Sequence, residues 1–167
     1  MKTMTLKLIS ARMLLLAAMF LVALTLFPIK AQAAGYPAAF QTLARGDHGQ
    51  IIAEADMVLL IETPEELSVM YEALGVDERP MNFDIDEVTV IAVVASPRPS
   101  SGYSVEVANV YPIEDGSFTI DVLNITPREP CSVLTVETTP YHLVAISGRL
   151  VEKTTRVNWL PTTYECQ

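Results

Sequence analysis

The side chains able to do chemistry in this 167-residue chain are few and far apart. His48 and His142 are the two histidines. Neither has a partner at HxH spacing and no CxxC pair occurs, so nothing in the sequence brings several ligands to one metal ion. Ser100 and Ser101 lie beside a glycine, but the GxSxG pattern that presents a serine nucleophile on a strained turn is absent around them. Asp84, Asp86 and Glu87, in FDIDEV, form an acidic cluster without the ligand spacing or turning glycine of a calcium loop; a solvated loop before a strand is expected there. Asn124-Ile125-Thr126 fits the N-glycosylation triplet at an expected strand end. These residues lead us to expect no catalytic residue, no metal, no cofactor and no small-molecule substrate: the chain does not read as an enzyme.

The elements that surround these residues begin after a segment of a different kind. Lys2, Lys7 and Arg12 precede an almost wholly apolar run from Met13 to Phe27, which Pro28 ends and the small-residue pattern Ala31-Gln32-Ala33 follows. That order of charge, apolar core and small residues is a secretory leader, and it is shorter than a membrane span. We expect residues 1–33 to be removed, leaving a periplasmic or extracellular protein with no stable membrane anchor. The leader carries no cysteine for lipid attachment. All 20 acids lie beyond residue 33, against 7 of the 11 cations. Such a surface repels phosphate backbones, and no basic run offsets it, so a nucleic-acid partner is not expected. Cys131 and Cys166 both fall in the exported part, where thiols are usually oxidised, and we expect them to pair. A bridge of this loop length is worth about 3–4 kcal/mol.

Residues 34–50 are weakly patterned, and Ile51–Ile61 reads as one or two short strands. TPEELSVMYEAL is an amphipathic helix. Thr63 and Glu66 have capping-box spacing and Pro64 suits the first turn. Leu67, Met70, Tyr71 and Leu74 share one face, and Gly75 ends the segment. Val88–Ala95 is apolar at almost every position, as a central strand covered on both faces should be. From Tyr103 the pattern alternates, with Tyr103, Val105 and Val107 on one side and Ser104 and Glu106 on the other. Asp115-Gly116 favours a two-residue hairpin turn, which would set Ile113 beside Phe118 and Tyr111 beside Ile120. Further strands are expected at Cys131–Glu137 and Tyr141–Ile146, interrupted by Thr138-Thr139-Pro140. The sum is an α+β fold, a single small domain with a mostly antiparallel sheet and one amphipathic helix packed on it.

One stretch stands apart. In SPRPSSGY, Pro97 and Pro99 restrict φ and bias Ser96 and Arg98 towards extended backbone, while Gly102 admits positive φ or a close approach before Tyr103 enters the strand. A stiff loop of this kind loses little entropy on binding. We therefore expect Pro97, Arg98, Pro99, Ser100, Ser101, Gly102 and Tyr103, together with Thr139, Pro140 and Tyr141, to form an edge that contacts another exported protein. Tyrosine suits such an edge, with a large contact area and few rotors.

These same motifs resemble the C-terminal domain of the PrcB family, small exported bacterial proteins named for a subunit that stabilises a surface protease complex. The resemblance runs from Phe40 to Ser147. It rests on Glu65-Glu66-Leu67 at the helix start, Asn82-Phe83-Asp84, the strand Val88–Val94, the loop Arg98–Tyr103 against a GxRPTGGY pattern, and Thr138–Val144 (TTPYHLV). This chain departs from the pattern at Ser100-Ser101, where the family has Thr-Gly, and at Ala95-Ser96, where it has a glycine. The resemblance implies a domain over residues 34–147, a tail at 148–167 outside it, and an accessory or stabilising role towards an exported protease or other envelope protein. An alternative resemblance, to the chagasin-like inhibitors of cysteine proteases, rests on the order of Pro97–Tyr103 against NPTTGY. Their glycine-rich loop is missing, and Gly148-Arg149-Leu150 stands where an RPW-type loop would be needed.

Intact-mass analysis of protein recovered from the exported fraction is expected to begin at Ala34, and alkylation before reduction is expected to label neither Cys131 nor Cys166. Recovery of the full chain from membranes, or two alkylated thiols, would overturn the corresponding half of this reading.

Overall fold

A computed structural model describes residues 35–77, 84–85, 87–113, 117–148 and 155–165. Its elements in chain order are β1 (Phe40–Gly46), β2 (Met57–Ile61), α1 (Pro64–Leu74), β3 (Val88–Val94), β4 (Ser104–Pro112), β5 (Phe118–Pro127), β6 (Tyr141–Ser147) and β7 (Thr155–Tyr164). The strands make two sheets, one in the order β1-β6-β3-β2 and one in the order β4-β5-β7. All pairings in the first sheet are antiparallel, as is β4 with β5, while β7 runs parallel to β5. Among the described residues the chain adopts the expected α+β class, mostly antiparallel with one helix.

Strand β3 explains the layering. It pairs with β6 on one side and β2 on the other, and Val90 to Val94 are completely buried. Successive side chains point to opposite faces of a sheet. Val90, Ala92 and Val94 accordingly join a core with α1, in which Leu67, Met70, Tyr71 and Leu74 supply the helix face, while Ile91 and Val93 join a second core with the other sheet. That second core contains Val105, Val107 and Val110 of β4 and Phe118, Ile120 and Val122 of β5, with Val157 and Trp159 of β7 packed against it. The helix is delimited as its sequence predicts. Thr63 and Glu66 form the reciprocal capping box, and Gly75 closes the C-terminus at φ 68°.

Four departures have identifiable causes. β1 occupies the weakly patterned stretch, because a register shift between Thr42 and Ala44 interrupts its alternation and only Leu43 is buried within it. The β4–β5 hairpin is one residue away from the expected register: Val110 faces Ile120 and Pro112 faces Phe118. A shift between Val107 and Asn109 switches the inward residues from odd to even numbers, so Val110 is buried, while Ile113 is partly exposed. The turn Asp115-Gly116 lies outside the described residues. Residues 131–137 are not a strand; they run as an irregular strap with mostly exposed side chains, turned at Thr135 where the Val136 N–H donates to the Leu134 carbonyl. Last, residues 155–164 of the expected tail are β7, whose alternately half-buried side chains face the second core.

A polar clip joins the two sheets. His142 on β6 is 2% exposed; its Nδ1 accepts from the Val107 backbone N–H at 2.9 Å and its Nε2 lies 3.0 Å from Thr42 Oγ1. An imidazole nitrogen that accepts from an amide carries no proton, so the ring is the neutral Nε2–H tautomer and donates to Thr42. Burial, reinforced by the Arg45 guanidinium and opposed by Glu106, pushes the His142 pKa down to about 4. Because the unfolded chain takes up this proton near its ordinary pKa of about 6.5, the stability is fully present above that pH and is lost as pH falls towards 4. The loss expected is about 3 kcal/mol. Urea unfolding from pH 7 to pH 4 should show this step in the wild type and not in His142→Asn; an equal slope in both would remove His142 as its source.

Candidate functional site

The loop after β3 is held at several points along its length. The Ala95 N–H donates to the Pro140 carbonyl, and Arg98 and Thr138 exchange backbone hydrogen bonds at 2.8 and 3.0 Å in an isolated bridge. Further on, the Ser101 N–H donates to the Leu134 carbonyl while the Leu134 N–H donates to Ser101 Oγ, both at 2.9 Å. Thr138 Oγ1 donates to the Ser100 carbonyl. Pro97 and Pro99 have no N–H to contribute, and Arg98 and Ser101 make the backbone contacts instead. The loop is thus laced to the strap 131–138 rather than projecting alone.

Beneath this lacing lies an ion pair. Arg98 Nη2 donates to both carboxylate oxygens of Asp56, at 2.8 and 2.7 Å, and Asp56 Oδ1 also accepts from the Ser96 N–H and Ser96 Oγ, each at 2.8 Å. Asn124 Nδ2 donates to Asp56 Oδ2 at 3.3 Å. The two charged side chains are 19% and 21% exposed. Burial acts to raise the Asp56 pKa, but the hydrogen bonds from Ser96 and Arg98 and the guanidinium charge together hold it below the usual carboxylate value. The carboxylate therefore stays ionised and fixes the direction in which the chain leaves β3. The glycosylation triplet falls within β5, and its Asn124 amide is committed to this network.

Gly102 and the end of β7 meet closely. Gly102 has φ 92°, and a Cβ there would stand 2.6 Å from the Tyr164 hydroxyl and 3.0 Å from Val133. Glycine is required on both counts. Beyond this, the Arg128 N–H donates to the Tyr164 carbonyl, and Arg128 pairs with Glu165. Cys131 follows in the same turn, its N–H donating to the Arg128 carbonyl. Cys166, its expected partner, lies outside the described residues.

The structure brings the expected edge residues together, but unevenly. Within 97–103 only Pro99 is fully exposed, and the others are half-buried. Thr139 and Pro140 are buried, with Thr139 bonded to the Asp47 and Gly49 backbones. Tyr141 is half-buried over Gly46, where a Cβ would come within 2.7 Å of its hydroxyl; burial and then Asp47 push its pKa upward. Beside this loop the exposed apolar side chains belong to the strap instead: Leu134 is 72% and Val136 42% exposed. Sequence reasoning assigned Leu134 and Val136 to a strand. Pro130 and Pro140, which bracket the segment, are the signal that could have marked it as a surface strap. His48 is exposed and far in sequence from His142. Among the described residues, no group of three or more His, Cys, Asp or Glu side chains is arranged to hold a metal ion, and no helix is long and apolar enough to cross a membrane.

Residues 89–147 match the family model described as PrcB C-terminal. The match spans β3 to β6, and with them the loop and the strap. The resemblance read from the sequence motifs is borne out over that span; Asn82 and Phe83 lie outside both the match and the described residues. No curated protein and no solved structure matches the chain.

Removing Asp56 strips partners from Ser96, Arg98 and Asn124 at once, whereas removing Arg98 leaves Asp56 its contacts with Ser96. Chemical denaturation is expected to give a loss of about 3 kcal/mol for Asp56→Ala and about 2 kcal/mol for Arg98→Ala, between the values typical of surface and buried pairs. A smaller loss for Asp56→Ala than for Arg98→Ala would contradict the assignment of the carboxylate as the anchor.

Proposed function

With the PrcB C-terminal match across residues 89–147 as premise, we propose that this protein is an exported, non-catalytic interaction domain that serves as an accessory or stabilising subunit for an exported protease. The family match supports a protease-associated accessory role. The observation that carries the more specific reading is the laced loop and strap. Backbone hydrogen bonds fix Arg98, Ser101, Leu134 and Thr138 to one another, and this fixed frame displays Leu134, Val136 and Pro99 to solvent.

Exposed aliphatic side chains on irregular chain are a binding feature when the backbone beneath them is already ordered, because association then costs little further entropy. The Asp56–Arg98 pair supplies part of that order from below. Pairing of Cys131 with Cys166 belongs to the same reading: the bonds between Arg128 and the Tyr164–Glu165 segment bring the end of β7 to the turn that carries Cys131. A bridge there would anchor the start of the strap.

Pull-down from the exported fraction tests the proposal. Wild type is expected to recover an active protease and to extend its lifetime. A Leu134→Ser, Val136→Ser double variant, altered at exposed positions and folded by circular dichroism, is expected to recover it at least about tenfold less, as for loss of an interface anchor. Equal recovery by both proteins would sink the proposal. Stoichiometric inhibition of papain-like proteases, without any stabilised partner, would replace it with the chagasin-like alternative.

A further inference from the structure

The two sides of the sandwich are finished differently. On one side the first sheet ends in β1 and the second in β4, and this side is closed. The Ala38 N–H donates to the Val110 carbonyl on β4, Arg45 and Glu106 pair across the sheets at 3.1 Å, and His142 holds the Val107 N–H. On the other side the sheets end in β2 and β7. Among the described residues, no further backbone hydrogen bond reaches Met57–Ile61 beyond those to β3. A groove of about 440 Å³ lies between the two strands, lined by the apolar side chains of Val58, Leu59, Leu60, Val157 and Trp159 and by the polar Asp56 and Thr155.

We propose that this groove takes an extended peptide segment of a partner protein, which adds to the β2 edge as a further strand and carries alternate apolar side chains flanked by lysine or arginine. An edge strand offers unpaired backbone donors and acceptors at strand spacing, and a trough beside it that mixes aliphatic side chains with polar groups receives every second side chain of the incoming segment. β2 is the edge suited to this. β7 carries Pro161, which has no N–H to give to a ladder. Trp159 provides the broad, rigid contact typical of an anchor site.

Charge distinguishes between occupants. Glu54 and Asp56 precede β2, and Glu62 and Glu65 follow it. Asp56 is matched by Arg98, whereas among the described residues no ion pair is formed by Glu54 at one end or by Glu62 and Glu65 at the other. Antiparallel pairing of β2 with a second copy would set these acids against each other from end to end, where like charges destabilise a strand pair. A segment with cations at both ends meets the opposite sign at both. The surface is separate from the strap, and this inference does not rest on the strap's role.

Trp159 is the sole tryptophan, so its emission reports the groove directly. The protein, as isolated, is titrated with the peptide Lys-Lys-Val-Thr-Val-Thr-Val-Lys-Lys, with a counterpart in which glutamate replaces every lysine, and with a third peptide N-methylated at alternate residues. The lysine-flanked peptide should shift the emission saturably and slow amide exchange at residues 57–61. The other two should bind at least about tenfold more weakly, equivalent to 1.4 kcal/mol. Leu59→Lys, at a partly exposed position, should weaken the lysine-flanked peptide while leaving the fold intact. Equal binding of the N-methylated peptide would mean apolar docking without strand addition, and would overturn the proposal. So would protection confined to 155–164, a peptide-free dimer protected at 57–61, or no binding at all.

Discussion

One strand separates two cores. Because β3 has neighbours on both sides and is buried on both faces, its odd and even positions answer to different partners, Ile91 and Val93 to the second sheet and Val90, Ala92 and Val94 to the helix face. A one-residue slip of β3 against β6 would send each set into the wrong core, so register is pinned from two directions at once. Shape differs between the faces as well as identity. The helix side accepts an alanine at position 92, where Leu67, Met70, Tyr71 and Leu74 fill the space, and the sheet side fills it with Phe118 and Ile120. The loop that leaves β3 inherits this fixed starting point, and the Asp56 carboxylate and the backbone bonds to the strap together set its course.

The parts of this arrangement that were legible in the sequence are those governed by short-range chemistry. Thr63, Pro64, Glu66 and Gly75 each satisfy a local rule about helix ends, and no distant contact has to be known to apply it. The unbroken apolar run of β3 is equally local, since a strand covered on both faces has no polar side to show. What escaped is non-local. A register shift at Ala108 changes which side chains of β4 face inward, and neither Tyr111 nor Ile113 carries any sign of it in its own identity. β7 was unreadable for the same reason: its neighbour β5 lies about thirty residues back, and parallel pairing leaves no turn signature.

The candidate site divides along similar lines. That Pro97 to Tyr103 would be stiff follows from its prolines, and that Gly102 needs positive φ follows from its type. That Arg98 turns inward to Asp56, and that Thr139 and Pro140 are buried, follow from contacts between residues far apart in the sequence, which composition does not encode. A charged residue in a polar loop reads as solvated until its partner is known. Leu134 and Val136 were misplaced for the opposite reason. Valine and leucine two residues apart look like one face of a strand, and here they sit on an irregular surface segment whose backbone is bonded to a loop rather than to a strand.

The parallel partnership of β7 with β5 also has a consequence for the order of assembly. Between these two strands the chain crosses to the first sheet and lays down β6, so the helix-side core can close while the second sheet still lacks its third strand. During that interval β5 presents a bare margin ten residues long, and Val157 and Trp159 have yet to cover their share of the apolar surface. The interval ends only when chain beyond residue 155 has become available to fold. A nascent or clipped chain that stopped before that point would leave β5 as an unpaired edge beside a partly uncovered core, the kind of surface on which strands from other chains add.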